Sequence, residues 1–217
     1  MTTAKDIYRG ALARFGMNSP DGLIGPTNDE TVLAAYNDGL MEFYVDHDWV
    51  FSYTEATFTT VANNDTYSPP SNWSRTAWMT AAGGYPLSLK SRREHKDYLS
   101  TGMPRWYDTQ GDRILLCPVP DGAYQITHAY YAAPERIVRD SDTYADVEDQ
   151  LDAEDVQVPD IYVPLLTLYV AKNLAVVALD REAHSTLREE INQYRARVAD
   201  NRRRHTTPGR IKARRDY

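Results

Sequence analysis

Cysteine occurs once in this sequence, at Cys117, so no disulfide can form within the chain. The composition suits a reducing compartment, and a chain of 217 residues can bury enough surface to fold without a covalent or metal staple. Long apolar runs are missing too. The longest, residues 161–179, is broken by Pro164, Lys172 and Asn173, and reads as too short and interrupted for a membrane span. No membrane partner is expected. The opening residues, Met-Thr-Thr-Ala-Lys-Asp-Ile, have no apolar core and do not read as a signal peptide.

The motifs of common catalytic chemistry are also absent. There is no GxxxxGK[ST] phosphate loop, no GxGxxG, no GxSxG, no HExxH and no CxxC. The histidines, His47, His95, His128, His184 and His205, stand far apart in sequence. Asp46-His47-Asp48 is the densest cluster of metal-ligand types, but consecutive residues on a helix face different sides. Cys117 has no neighbouring base and reads as a small buried apolar residue. No catalytic residue, metal ligand or cofactor is therefore expected, and the chain does not read as an enzyme.

What the chain does have is a division of charge. Residues 181–217 hold 11 Lys and Arg against 5 Asp and Glu, a balance of +6, whereas the preceding 180 residues hold 13 against 26, a balance of −13. Arg202, Arg203 and Arg204 are contiguous, and Arg210, Lys212, Arg214 and Arg215 lie beyond Pro208-Gly209, followed by Tyr217. Bases in the last turn complement a helix dipole, but those beyond Pro208 do not. This pattern reads as a docking tail. A nucleic-acid-binding domain would carry its basic face on the folded body. Here the body is acidic, so a protein partner is the better fit. The 16 tyrosines and 4 tryptophans are a second surplus. They either fill half-exposed strand positions or serve an interface, where amphipathic rings are favoured.

The spacing predicts an α+β fold: a helical bundle, a small antiparallel β-domain inserted into it, and an extended C-terminal tail. Helices are expected near residues 4–16, 28–50, 160–179 and 181–204, with a β-rich insertion at 52–133. Residues 1–204 read as a single domain and 205–217 as the tail. Ala4, Ile7, Tyr8, Ala11 and Phe15 mark one face of the first helix. Thr27 and Glu30 form a capping box for the second, whose seam is Leu33, Tyr36, Leu40, Phe43, His47 and Val50. Strands at 105–109, 113–117 and 123–132 read as a meander, with Asp121-Gly122 supplying left-handed conformations in its second turn. Both faces of the last strand are partly apolar, which nominates Tyr124, His128, Tyr130 and Tyr131 for a subunit or tail interface. Residues 139–160 contain nine acids and no base after Arg139, and read as an exposed acidic loop. Pro164 fits only the first turn of the third helix. Asp180 caps the fourth, with the seam Ala183, Leu187, Ile191, Tyr194 and Val198.

Two stretches carry a resemblance. Residues 111–134, Gly-Asp-Arg-Ile-Leu-Leu-Cys-Pro-Val-Pro-Asp-Gly-Ala-Tyr-Gln-Ile-Thr-His-Ala-Tyr-Tyr-Ala-Ala-Pro, follow a strand, P-x-P-D/N, strand, Y-Y-x-x-P pattern. The helix beginning at Val158-Pro-Asp-Ile-Tyr-Val-Pro, followed by Asp180-Arg-Glu-Ala183 and another helix, is the second. With the order of elements over nearly the whole chain, they resemble the head-to-tail adaptor (connector) proteins of tailed bacteriophages, called tail tubular protein A in short-tailed phages. The resemblance implies a virion protein assembled in the host cytoplasm. It implies a ring, usually of about twelve subunits, beneath the portal. Such a ring extends the DNA channel without sequence-specific binding and presents a platform for a downstream nozzle or tail tube. Portal docking would then fall to Arg202, Arg203, Arg204, Arg210, Lys212, Arg214, Arg215 and Tyr217. Two other readings share the composition: another tail-completion protein, stopper or terminator, and a nucleic-acid-binding module using the basic arm.

Overall fold

The computed structural model describes residues 2–14, 29–91, 100–144 and 146–206. It is α+β and divides into two compact units, residues 44–135 and residues 1–43 with 136–217.

The second of these holds the helices. α1 (Ala4–Ala13) begins with a capping box of its own: the Asp6 amide donates to Thr3 Oγ1 at 3.3 Å, and the Thr3 amide to Asp6 Oδ2 at 3.1 Å. Its expected face, Ala4, Ile7, Tyr8 and Ala11, is buried. The box expected at Thr27 and the C-terminal end of that face at Phe15 lie outside the described residues. α2 (Asp29–Asp46) buries Leu33, Tyr36, Leu40 and Phe43, but it ends before His47 and Val50. The expected seam is too long at that end because a 3-10 turn (Val50–Ser52) follows. Trp49 takes the buried position, stacking on Phe51 with centroids 5.7 Å apart, and Val50 is left 83% exposed.

The acidic stretch is not an exposed loop. It contains α3 (Val147–Ala153), whose Val147, Gln150 and Leu151 are buried and which packs on α1. Two things overcome its charge. Asp146 caps the helix, accepting from the Asp149 amide at 2.8 Å, and Glu148 and Asp149 sit at the positive end of its dipole. Bases on α1 then meet the acids: Arg9 pairs with Glu148 at 2.8 Å and Lys5 with Asp152 at 3.4 Å. The preceding segment is held by polar bonds as well. Arg139 donates to the Asp140 and Tyr144 carbonyls and to Gln150 Oε1, and Gln150 Nε2 donates to the Val138 carbonyl at 2.6 Å.

α4 (Val163–Val177) is the central helix, with Leu165 to Ala171, Leu174 and Ala175 all buried. The window Asp160–Val177 is apolar and long enough to cross a membrane, yet half of it is buried within the fold. Burial on every side is what makes a core helix apolar all round. Pro164 occupies its first turn. Asp180 Oδ1 accepts from the Ala183 amide at 2.9 Å and starts α5 (Arg181–Thr206), which runs back antiparallel along α4 through Leu187 and Ile191.

Residues 44–135 form one curled sheet of seven strands: β1 (Tyr53–Thr59), β2 (Thr66–Tyr67), β3 (Trp73–Ala81), β4 (Tyr85–Leu89), β5 (Trp106–Gln110), β6 (Arg113–Cys117) and β7 (Gln125–Ala132). Their order is β1-β7-β3-β4-β5-β6-β2, antiparallel except for β4 with β5. The inner face is lined by Met79, Leu87, Tyr107, Ile114, Leu116 and Ile126. The two edge strands meet through Phe58 and Tyr67, with ring centroids 5.0 Å apart. The expected meander is half right. β5 and β6 form a hairpin, turning at Gly111 with φ 60°. β7, however, leaves β6 and pairs with β1 and β3. Consistently, neither Asp121 nor Gly122 has a positive φ, because the chain is crossing rather than making a tight hairpin. Residues 92–99, between β4 and β5, lie outside the described residues.

Candidate docking surfaces

The basic arm follows the contacts that fix α5 to the start of α4. Tyr194 Oη donates to the Ile161 carbonyl at 3.0 Å, and Arg197 borders the same groove as Pro164 in the first turn of α4. α5 continues for nine residues past Arg197, from 198 to 206, which is about 14 Å at 1.5 Å per residue. Arg202, Arg203 and Arg204 stand on this extension. Arg210, Lys212, Arg214, Arg215 and Tyr217 lie outside the described residues.

The same helix also has a base turned inward. Arg195 donates through Nε and Nη2 to the buried Tyr169 Oη, at 2.9 and 2.6 Å, and its guanidinium lies 5.5 Å from that ring's centroid. Phe43 meets the same ring edge to face at 5.9 Å. Lys172 pairs with Glu42, which ties α4 to α2. Of the eleven bases from 181 onward, Arg195 is thus committed to the fold, whereas Arg181, Arg188 and Arg197 are exposed.

The four nominated sheet residues differ in accessibility. Tyr131 is half-buried, with Tyr53 edge-on at 6.0 Å and the Arg75 guanidinium 5.2 Å from its centroid. Tyr124 is half-buried and donates to Asp121 Oδ1 at 2.6 Å, a bond that raises its pKa. Tyr130 is buried and donates to Asn72 Oδ1 at 3.0 Å. His128 has no accessible surface. Its Nε2 lies 2.9 Å from Thr76 Oγ1, which also accepts from Trp73 Nε1 at 3.1 Å. Burial lowers the His128 pKa to about 4, so the ring is neutral at physiological pH. The accessible aromatics on this sheet include Tyr131 and three residues outside that nomination, Tyr53, Trp78 and Tyr85. Register places Tyr53 opposite Tyr131, and Trp78 opposite Ala129 two residues away on the same strand. The period of two along β1 was the signal that could have found Tyr53. A bulge between Thr76 and Trp78 resets the alternation of β3 and hides Trp78 from such a count.

Among the described residues no group of three His, Cys, Asp or Glu side chains is placed to hold a metal ion. In the Asp46-His47-Asp48 cluster, His47 Nδ1 lies 2.9 Å from the Asp46 carbonyl, and Asp48 pairs with Arg75. Cys117 is buried.

The sequence profile of the SU10 adaptor protein family matches residues 2–212. No curated protein matches the chain.

Proposed function

This chain belongs to the SU10 adaptor protein family, and on that premise we propose that it forms a ring beneath the portal of a tailed phage. The family makes it a phage adaptor, a structural virion component that engages portal and tail proteins. Residues 1–204 act as one adaptor body, a helical bundle carrying the inserted β-domain, and residues 205–217 act as an extended tail. About twelve copies close the ring, which is assembled in the host cytoplasm before the tail joins. The ring's lumen continues the DNA channel, and its far side receives the nozzle or tail tube.

The observation that supports portal docking by the C-terminus is the extension of α5. α5 runs on to Thr206 and carries three consecutive arginines near its end, where the helix dipole accounts for about 0.3–1 kcal/mol each at most. The acidic remainder suits a channel wall, since like charge keeps duplex DNA from binding and each neutralised phosphate would slow its passage. Mixing the full chain with its portal and imaging by negative stain should show a ring added at the portal's narrow end. Deleting 205–217 should leave a folded protein that no longer binds portal. Normal portal binding by the truncated chain would end the docking assignment. Salt-dependent duplex binding, abolished by replacing Arg202, Arg203 and Arg204 with Ala, would instead point to a nucleic-acid arm.

A further inference from the structure

The turn between α4 and α5 is a Schellman motif. The Leu179 amide donates to the Val176 carbonyl at 3.1 Å, and the Asp180 amide to the Ala175 carbonyl at 3.0 Å. Leu179 itself is left-handed, with φ 56°. Glycine is the usual residue at this position, because a Cβ there crowds the next carbonyl. Leucine accepts that strain and gains little burial, since it is 87% exposed. Val176, one turn earlier, is 55% exposed. The two form an apolar knob at the tip of the hairpin. A strained apolar residue that adds so little to its own core points to a contact outside the chain.

The other end of the hairpin is concave. A groove of about 400 Å³ lies between the first turn of α4 and the far part of α5. Its apolar walls are Pro164, Leu168 and Tyr194. Arg14 and Glu190, paired at 3.4 Å, border it together with Arg197.

We propose that the Val176–Leu179 knob of one copy seats in the groove at Pro164, Leu168 and Tyr194 of a second copy of this chain. A groove of this volume can hold a small ligand, and so has room for two aliphatic side chains. The knob cannot fill the groove of its own chain, because Pro164 and Val176 stand twelve residues apart on α4, about 18 Å. Between copies the two surfaces differ, so the contact is heterologous and repeats head to tail, as a ring requires. Charge does not oppose it: the groove border has one base in excess, while Asp180 and Arg181 balance beside the knob. Nucleic acid is the poorer occupant, since an aliphatic knob neutralises no phosphate. The contact rests on the ring reading above and specifies which surfaces meet in it.

Leu179→Gly tests it, because glycine suits the left-handed turn and little packing is lost. The full-length variant should fold with a Tm no lower than wild type. The chain concentration at which rings saturate portal in negative stain should nevertheless rise at least about tenfold. Gln193→Trp, which fills the groove from an exposed position, should weaken ring formation similarly. The two changes together should cost no more than either alone, whereas additive losses would place knob and groove in different contacts and overturn the pairing. A direct readout is Leu179→Cys with Gln193→Cys in one chain. These positions lie at opposite ends of the hairpin, beyond the roughly 7 Å between Cα atoms that a disulfide spans, and Cys117 is buried. Oxidation of rings on portal should give a ladder of covalent oligomers. Monomer alone, with portal binding lost in Leu179→Gly, would assign the knob to portal and overturn the contact. Leu179→Gly chains that form rings as wild type does would also overturn it and leave the adaptor reading standing. A wild-type chain that forms no ring with portal would remove both.

Discussion

Replacing Gly39 with alanine should destabilise the helical unit, although the same change on an exposed helix stabilises. A Cβ at Gly39 would lie 2.7 Å from Val170 Cα, 2.9 Å from Val170 N and 3.0 Å from the Tyr169 carbonyl carbon. All three are backbone atoms of α4, so no rotamer change relieves the contact. Carbon atoms pack best at about 3.5–4.0 Å, and α2 and α4 would have to separate by close to 1 Å. Overpacking of this kind costs about 1–3 kcal/mol. The helix propensity of alanine over glycine returns about 1 kcal/mol. The steric cost falls at the upper end of its range, since separation also loosens the Phe43–Tyr169 contact and the Lys172–Glu42 pair. The expected net loss is about 1–2 kcal/mol, which at about 2–4 °C per kcal/mol lowers Tm by roughly 2–8 °C. Urea unfolding followed by circular dichroism at 222 nm measures it. Gly10→Ala is the control. Its Cβ would meet Thr167 Cγ2 at 3.2 Å, the end of a side chain that can shift, so the loss should be smaller or reversed. A Gly39→Ala protein as stable as wild type, or more stable, would refute the close crossing of α2 and α4.

Two further outcomes follow from groups inside each unit. The His128 pKa is lowered from 6.5 to about 4 by burial, so the unfolded chain takes up its proton first as pH falls; stability is lost from pH 6.5 down through 4. Linkage gives a loss of about 2 kcal/mol between pH 7 and pH 5, which His128→Gln should flatten in denaturant titrations at the two pH values. Asp146→Ala should cost about 1 kcal/mol by removing the cap of α3, whereas Asp142→Ala, on the exposed segment before it, should change stability by less than about 0.5 kcal/mol. Equal effects of the two would mean that the acidic stretch is not organised around a capped helix.

How much of the fold was legible in the sequence depended on how local its causes were. The α4–α5 hairpin was readable because its signals are adjacent: Pro164 in a first turn, an apolar helix, and Asp180 three residues before the amide it caps. β5 and β6 were readable for the same reason, with Gly111 between them. α3 was hidden by its acids. Its spacing of Val147, Gln150 and Leu151 is helical, but the bases that make those acids tolerable, Lys5 and Arg9, lie about 140 residues earlier. The crossing of β7 was invisible because antiparallel partners are chosen by long-range packing, and nothing in residues 118–124 says which edge the next strand will join.

The same distinction holds for the docking surfaces. The sequence alone determined that a basic C-terminal segment follows an acidic body, that disulfides within the chain are excluded, and that two helices near 160–179 and 181–204 make a pair. Charge, cysteine count and helix caps need no neighbours to be read. Only the tertiary structure decided which arginines are available: Arg195 turns inward to Tyr169, while Arg181 and Arg188 remain on the surface. It also decided that His128 and Tyr130 are buried while Tyr53 and Trp78 share the accessible face with Tyr131. Exposure is a property of what packs against a residue, and those partners come from distant parts of the chain.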